Sequence, residues 1–162
     1  MSENNEEILA TINASWGRRL LGLASLWGLG LLVFYLTLSQ SHAFGWQVLL
    51  LAISGGTFYV AEKMRRATGF QIELTPTVVR DSSGRILADV SDIQAVDRGT
   101  FAFKPSNGFL ITCKTKAPRV WAPGLWWRNG RRIGIGGITA APQTKFMAEM
   151  LSAMIAERDG QL

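Results

Sequence analysis

Two uncharged apolar runs constrain this chain more than any other feature. Residues 20–38 and 43–61 each contain nineteen residues without Lys, Arg, Asp or Glu. A helix needs about 20 apolar residues to cross a hydrocarbon core of about 30 Å. The runs therefore predict two membrane-spanning helices. Because only residues 39–42 connect them, we expect the helices to form an antiparallel hairpin over residues 19–61.

A cleaved signal peptide is the alternative interpretation of the first run. Its apolar stretch is longer than the roughly 7 to 15 residues of a typical signal peptide. The segment before it is acidic, with Glu3, Glu6 and Glu7, and a second apolar run follows almost at once. These features favour a retained hairpin.

Basic residues flank the hairpin on one side only. Arg18 and Arg19 precede the first run, whereas Lys63, Arg65 and Arg66 follow the second, and the connecting SQSH segment has no Lys or Arg. Cytoplasmic flanks of membrane helices carry an excess of such residues. We therefore expect a multi-pass membrane protein, with both termini cytoplasmic and a basic linker over residues 62–68.

Small residues indicate where the two helices approach each other. Ala24 and Gly28 in the first run, and Ala52 and Gly56 in the second, have the four-residue spacing that lets helix backbones come close in lipid. The alternative is that they reflect the high glycine content of membrane helices. The same faces would allow self-association, so a homo-oligomer is a possible state.

The cytoplasmic N-terminal segment, residues 1–18, has two open interpretations. Its apolar residues have helical spacing and could form a stripe that lies along the lipid headgroups, and they are Ile8, Leu9, Ile12 and Trp16. A frayed terminus is the other interpretation.

The pattern after residue 66 is typical of strands. Residues 70–75 alternate between apolar and polar, and Asp81-Ser82-Ser83-Gly84 predicts a turn. Seven short strands are predicted in all, at residues 70–75, 78–80, 85–96, 101–104, 109–114, 119–123 and 132–135. Asn129-Gly130 favours a hairpin turn because both residues tolerate a positive φ. Strands this short and this closely spaced predict a small antiparallel β-barrel or sandwich.

One amphipathic helix is predicted at the C-terminus, over residues 140–158. Its apolar residues recur every three or four positions, and Pro142 and Gly160 suit its first turn and its end. They are Phe146, Met147, Met150, Leu151, Met154 and Ile155. We expect this helix to cap an open end of the β domain, which covers residues 69–162.

This arrangement resembles the bacterial pleckstrin-homology-like domains, which follow membrane hairpins in many members. The resemblance is carried by the segments FQIELTPTVVRDSSGRI, ADVSDIQAVD and TKFMAEMLSAMIAER. It implies seven bent strands capped by a C-terminal helix, and a location in the bacterial inner membrane. It does not carry over a phosphoinositide site, because residues 74–85 contain only Arg80 and Arg85, with Asp81 between them.

The candidate binding site is a tryptophan- and arginine-rich segment near the predicted hairpin turn. Between residues 98 and 145 the chain has nine Lys or Arg residues and no Asp or Glu, so this part produces a positive field. We predict that a Trp/Arg tip contacts membrane lipid or a membrane-protein partner, through Trp126, Trp127, Arg128, Arg131 and Arg132. The alternatives are that some tryptophans lie inside the barrel and that the charge is an ordinary solvated surface.

No residue pattern indicates an enzyme, a cofactor or a metal site. The only histidine, His42, is remote from Cys113, and no Cys/His grouping has metal-ligand spacing. The glycines at 134, 136 and 137 match neither a phosphate loop nor a dinucleotide motif. Nucleic-acid binding would use the same basic stretch with its aromatics, but membrane tethering makes it less economical and no RNA- or DNA-binding motif is present. The sequence therefore favours a non-catalytic scaffold, accessory or assembly protein that meets a membrane-protein partner. An anionic-lipid-headgroup-binding module is the alternative.

Overall fold

The structure is a computed structural model that describes residues 7–40, 43–99 and 104–160. Two long helices come first, α1 (Trp16–Ser39) and α2 (Phe44–Ala67). Their mean hydropathies are 1.9 and 1.4, and both are long and apolar enough to cross a membrane. Each helix extends beyond the apolar run that predicted it. Residues 62–67, predicted as a linker, are the last turns of α2.

The two helices pack through residues that the small-residue spacing did not identify. An ideal Cβ placed at Gly30 would lie 2.7 Å from the Phe58 ring, and the Ser54 hydroxyl donates to the Gly30 carbonyl at 3.0 Å. Trp27 contacts the same Phe58 ring, with centroids 5.1 Å apart. By contrast, nothing lies within 4 Å of a Cβ at Gly28 or Gly56. The prediction that Gly28 and Gly56 lie in the helix contact was therefore wrong.

The first sheet contains four antiparallel strands in chain order, β1 (Ala10–Ile12), β2 (Ile72–Leu74), β3 (Val78–Asp81) and β4 (Ile86–Asp89). The N-terminal segment is thus neither a helical stripe nor a frayed tail where it is described. Ile12 pairs with Ile72 and is fully buried. Burial of this side chain, together with pairing to β2, outweighs the helical spacing of its apolar residues.

The second sheet has three antiparallel strands, β5 (Ile93–Asp97), β6 (Phe109–Ala122) and β7 (Trp126–Ile135). A single 3-10 turn, Val90–Asp92, joins β4 to β5. The strand predicted over residues 85–96 is therefore two strands in different sheets. Two strands were predicted at 109–114 and 119–123, but the structure has one continuous strand there, β6. The strand predicted at 132–135 is β7, which begins six residues earlier, at Trp126. Of the strand predicted at 101–104, residues 101–103 lie outside the described residues.

The C-terminal helix α3 (Ala141–Arg158) matches its prediction within one residue. It buries Met147, Leu151 and Ile155 in a core that both sheets share. The Arg158 guanidinium donates to the carbonyls of Val90 and Ile93 at 3.0 and 2.9 Å. The helix end is thereby tied to the turn where the chain passes from one sheet to the other.

Candidate binding surfaces

The turn of the β6–β7 hairpin lies at residues 123–125, and the prediction of a hairpin turn at Asn129-Gly130 was wrong. The Leu125 amide donates to the Ala122 carbonyl at 3.1 Å, across Pro123 and Gly124. Gly124 has a φ of +83°. A type II turn requires a positive φ at its third residue, and proline is common at its second. Asn129 and Gly130 instead lie within β7.

The hairpin turn packs against the end of α2 and does not project into solvent. A Cβ at Gly124 would lie 3.2 Å from the Thr68 methyl group and 3.5 Å from the Met64 methyl group. On its other side, the Gly136 amide donates to the Leu125 carbonyl at 2.9 Å, and the Ile138 amide donates to the Gly124 carbonyl at 3.0 Å. The turn is therefore held between α2 and the residues that follow β7.

The β6–β7 ribbon folds back over itself. Trp126 starts β7 and Ile135 ends it, yet their neighbours Leu125 and Gly136 are joined by a hydrogen bond. Register shifts in β6 between Thr112 and Ala117, and between Ala117 and Val120, accommodate this bend. Gly130, with a φ of +60°, pairs with Ala117 at the bend. The Asn-Gly pair thus bends the ribbon instead of closing it.

The three tryptophans have three different environments. Trp126 is 3% exposed and belongs to the shared core. The half-buried Trp127 lies over Gly134, where an added Cβ would come within 2.4 Å of its indole ring. Trp121 is 46% exposed, and the Lys63 ammonium lies 4.8 Å from its ring centroid. Of these three tryptophans of the β6–β7 ribbon, Trp121 and not Trp126 offers a surface for contact.

Arg128 is bound within the fold. Its guanidinium donates to three backbone carbonyls, those of Leu87 at 2.6 Å, Gly130 at 3.1 Å and Thr115 at 3.4 Å. These bonds join the bend to the first sheet. A guanidinium with its donors directed at the protein's own carbonyls is a poor candidate for an external anion.

The remaining predicted cations lie exposed at the bend. We name as the basic bend the five exposed Lys and Arg residues of this region, which are Lys114, Lys116, Arg119, Arg131 and Arg132. None of them has a carboxylate within 4 Å in the part of the chain that the structure describes. Because β7 is an edge strand, cations here also prevent edge-to-edge pairing with another chain.

The two residues before α1 make a second connection between the β domain and the helices. The Ser15 amide donates to the Ile138 carbonyl at 2.7 Å, and Ala14 bridges to Thr139. Helix α1 begins at the next residue, Trp16. The segment from β1 to α1 is therefore fixed to the same 137–139 region that holds the hairpin turn.

Reactive side chains do not form a catalytic arrangement among the described residues. Cys113 is fully buried, and burial raises the pKa of its thiol although the charge of Arg128 opposes the shift. Asp92 accepts bonds from the amide and hydroxyl of Thr115 at 3.0 and 2.6 Å. No group of three or more His, Cys, Asp or Glu in the described ranges could hold a metal ion. His42 lies outside the described residues.

Comparison of the chain with protein-family models, curated proteins and solved structures finds no match. Two apolar helices, two antiparallel sheets and a C-terminal helix are compatible with a pleckstrin-homology-like domain behind a membrane hairpin. Assignment to that family stays a prediction.

Sequence reasoning did not identify the cluster at the junction of α2 and the β domain. Lys63, Arg85 and Trp121 come from three distant parts of the chain and line one recess there. The sequence carries a signal for only part of it, the basic flank after the second apolar run.

Proposed function

We propose that this chain is a non-catalytic scaffold or assembly protein of the bacterial inner membrane. The hairpin α1–α2 spans the bilayer, both termini are cytoplasmic, and a pleckstrin-homology-like β domain is presented at the inner leaflet. The basic bend docks an acidic cytoplasmic segment of a membrane-protein partner. No cofactor and no nucleic acid take part.

The observation that carries the proposal is the tight attachment of the β domain to the helices. The hairpin turn contacts Met64 and Thr68 of the α2 end, and Ser15, just before α1, is bonded to Ile138. An enzyme domain on a flexible tether has no need of such contacts. A scaffold needs such contacts, because its binding surface must keep one orientation toward partners in the same membrane.

The position of the basic bend favours a protein over lipid as its partner. From Ala117 at the bend to Ala122 beside the turn is five residue steps, or about 17 Å at about 3.3 Å per residue. Attraction to headgroups weakens over a Debye length of about 8 Å at physiological salt. Five exposed cations without carboxylate partners suit an acidic peptide segment.

The lipid-headgroup module remains the second candidate function. It is favoured by Trp121, whose exposed ring contacts Lys63 at the end of α2, because aromatic and basic side chains at helix ends occupy the headgroup level. In that case lipid binding would be the whole function, and the basic bend would have no protein partner.

Site-specific photo-crosslinking in intact cells tests the scaffold proposal. A photoreactive residue at Lys116 should give one discrete crosslink to another membrane protein, whereas the same residue at Lys145, on α3, should not. Arg131→Gln/Arg132→Gln should abolish that crosslink. The matched control Lys104→Gln/Lys145→Gln, which also removes two charges, should leave it intact.

A crosslink that appears equally from Lys145, or that survives Arg131→Gln/Arg132→Gln, would contradict docking at the basic bend. Crosslinks from Lys116 only to lipid would contradict the protein partner and favour the second candidate. A crosslink to a second copy of this chain would replace the heterologous partner with a homo-oligomer.

A further inference from the structure

A recess of about 270 Å³ lies where the end of α2 meets the β domain. Its rim carries the cations Lys63, Arg66 and Arg85. Its wall and floor are aromatic, with Phe70 and Trp121 partly exposed and Trp126 buried. Cationic side chains around an aromatic floor suit a small anion that bears an apolar extension.

The cations outnumber the acids in this recess. Asp81 is the only carboxylate among the lining residues. Its Oδ1 already accepts bonds from the Ser83 amide and hydroxyl and from the Arg85 amide. The Arg85 guanidinium has no carboxylate within 4 Å in the described ranges, while Arg66 is paired with Glu62 at 2.7 Å. Within the part of the chain that the structure describes, Lys63 and Arg85 thus have no acidic partner.

The recess opens at the height where a spanning α2 would leave the hydrocarbon core. Lys63 lies one turn beyond Tyr59, and its ammonium lies 5.9 Å from the Tyr59 ring and 4.8 Å from the Trp121 ring. Tyr and Trp near helix ends mark the membrane–water interface. Below Tyr59, the same face of α2 is apolar and exposed at Ala52 and Val48, which lie seven and eleven residues before it. A ligand in the recess therefore has a phosphate-rich layer beside it and an apolar surface beneath it.

The geometry points to a binding site for one anionic glycerophospholipid in this recess. Lys63 and Arg85 bind the headgroup phosphate, Trp121 covers the glycerol, and the acyl chains lie along α2 beneath Tyr59. Net negative lipids are selected because the rim repels a cationic headgroup. The lipid then joins α2 to the β3–β4 turn, so that the β domain has one more contact holding it to the membrane. This inference needs the hairpin to be in a bilayer but needs no protein partner.

Native mass spectrometry of the full chain in mild detergent tests this site. We expect one phosphatidylglycerol to stay bound and phosphatidylcholine to bind at least tenfold more weakly. Lys63→Gln/Arg85→Gln should weaken phosphatidylglycerol binding about 30-fold, from about 1 kcal/mol for each cation. Lys63→Arg/Arg85→Lys, which keeps both charges, should largely preserve binding. Arg131→Gln/Arg132→Gln, with the same loss of charge at the basic bend, should bind as the unaltered chain does.

Equal binding of the two lipids would overturn the proposal, as would equal loss in the two Gln double variants. Competition with an excess of inorganic phosphate tests the source of the anion. If phosphate alone displaces the lipid, the site belongs to a soluble anion; if it does not, the lipid assignment stands. Thermal unfolding of each variant separates loss of the site from loss of the fold. The crosslinking test of the basic bend is independent of these outcomes.

Discussion

Replacing Trp126 with alanine should destabilise the β domain strongly, although the residue type suggests a binding role. Trp126 is 3% exposed and packs in the core shared by both sheets. A tryptophan buries about 150 to 250 Å², which at about 25 cal/mol per Å² gives about 4 to 6 kcal/mol as an upper bound. Measured Trp→Ala substitutions in cores cost about 3 to 5 kcal/mol. We expect a loss of about 3 to 5 kcal/mol in the free energy of unfolding.

Protection of the buried Cys113 thiol provides the assay. The full chain in detergent is heated, pulsed with a maleimide, and the alkylated fraction is measured at each temperature. Trp126→Ala should lower the midpoint by more than about 10 °C, since about 1 kcal/mol shifts a domain of this size by about 4 to 8 °C. The control is Trp121→Ala, the same substitution at a side chain that is 46% exposed, for which we expect less than about 1 kcal/mol. Equal shifts for the two variants would refute the assigned burial.

One change of pH and four further substitutions test the fold around the ribbon. Cys113 has a raised pKa in the folded chain, so its contribution to stability is complete below the unfolded pKa of about 8.5 and falls as pH rises beyond it. Unfolding midpoints followed by tryptophan fluorescence between pH 7 and 10 should decline, and Cys113→Ala should remove that part of the decline. Gly137→Ala should cost about 3 kcal/mol, because φ is +127° and the new Cβ would lie 2.8 Å from the Gly124 carbonyl oxygen. Gly130→Ala, with open space around it, should cost only about 1 to 2 kcal/mol in the same melts. Arg128→Met should cost about 2 kcal/mol through the lost bonds to three carbonyls, and no loss in thermal unfolding would contradict a structural role.

The helices could be predicted from the sequence because their signals are local. Two uncharged apolar runs gave α1 and α2, and spacing of three and four residues gave α3 within one residue of its observed start. The ends of α1 and α2 were less predictable. Helix α2 continues to Ala67, and a charged helical turn and a charged linker have the same composition.

The strand β1 could not be predicted from local pattern. It has three residues, and its pairing partner β2 lies about sixty residues further along the chain. Its apolar residues also have helical spacing. Only the burial of Ile12 against β2 decides between the two structures, and that contact is not visible in the segment itself.

The hairpin turn in the Trp/Arg segment was predicted at the wrong one of two turn signals. Both Pro123-Gly124 and Asn129-Gly130 are turn signals in the sequence. The choice between them depends on contacts of the first pair with Ile138 and with α2. The folded-back ribbon that follows places Trp126 inside and leaves Arg131 and Arg132 outside.

The most direct test of the account is the side of the membrane on which the β domain lies. Arg131→Cys in a Cys113→Ser background places one exposed thiol at the basic bend, and a membrane-impermeant maleimide is added to sealed spheroplasts. The account predicts no labelling until the membrane is permeabilised, with the chain retained in the membrane after carbonate extraction. Full labelling of intact spheroplasts, while a cytosolic thiol marker stays unlabelled, would contradict it.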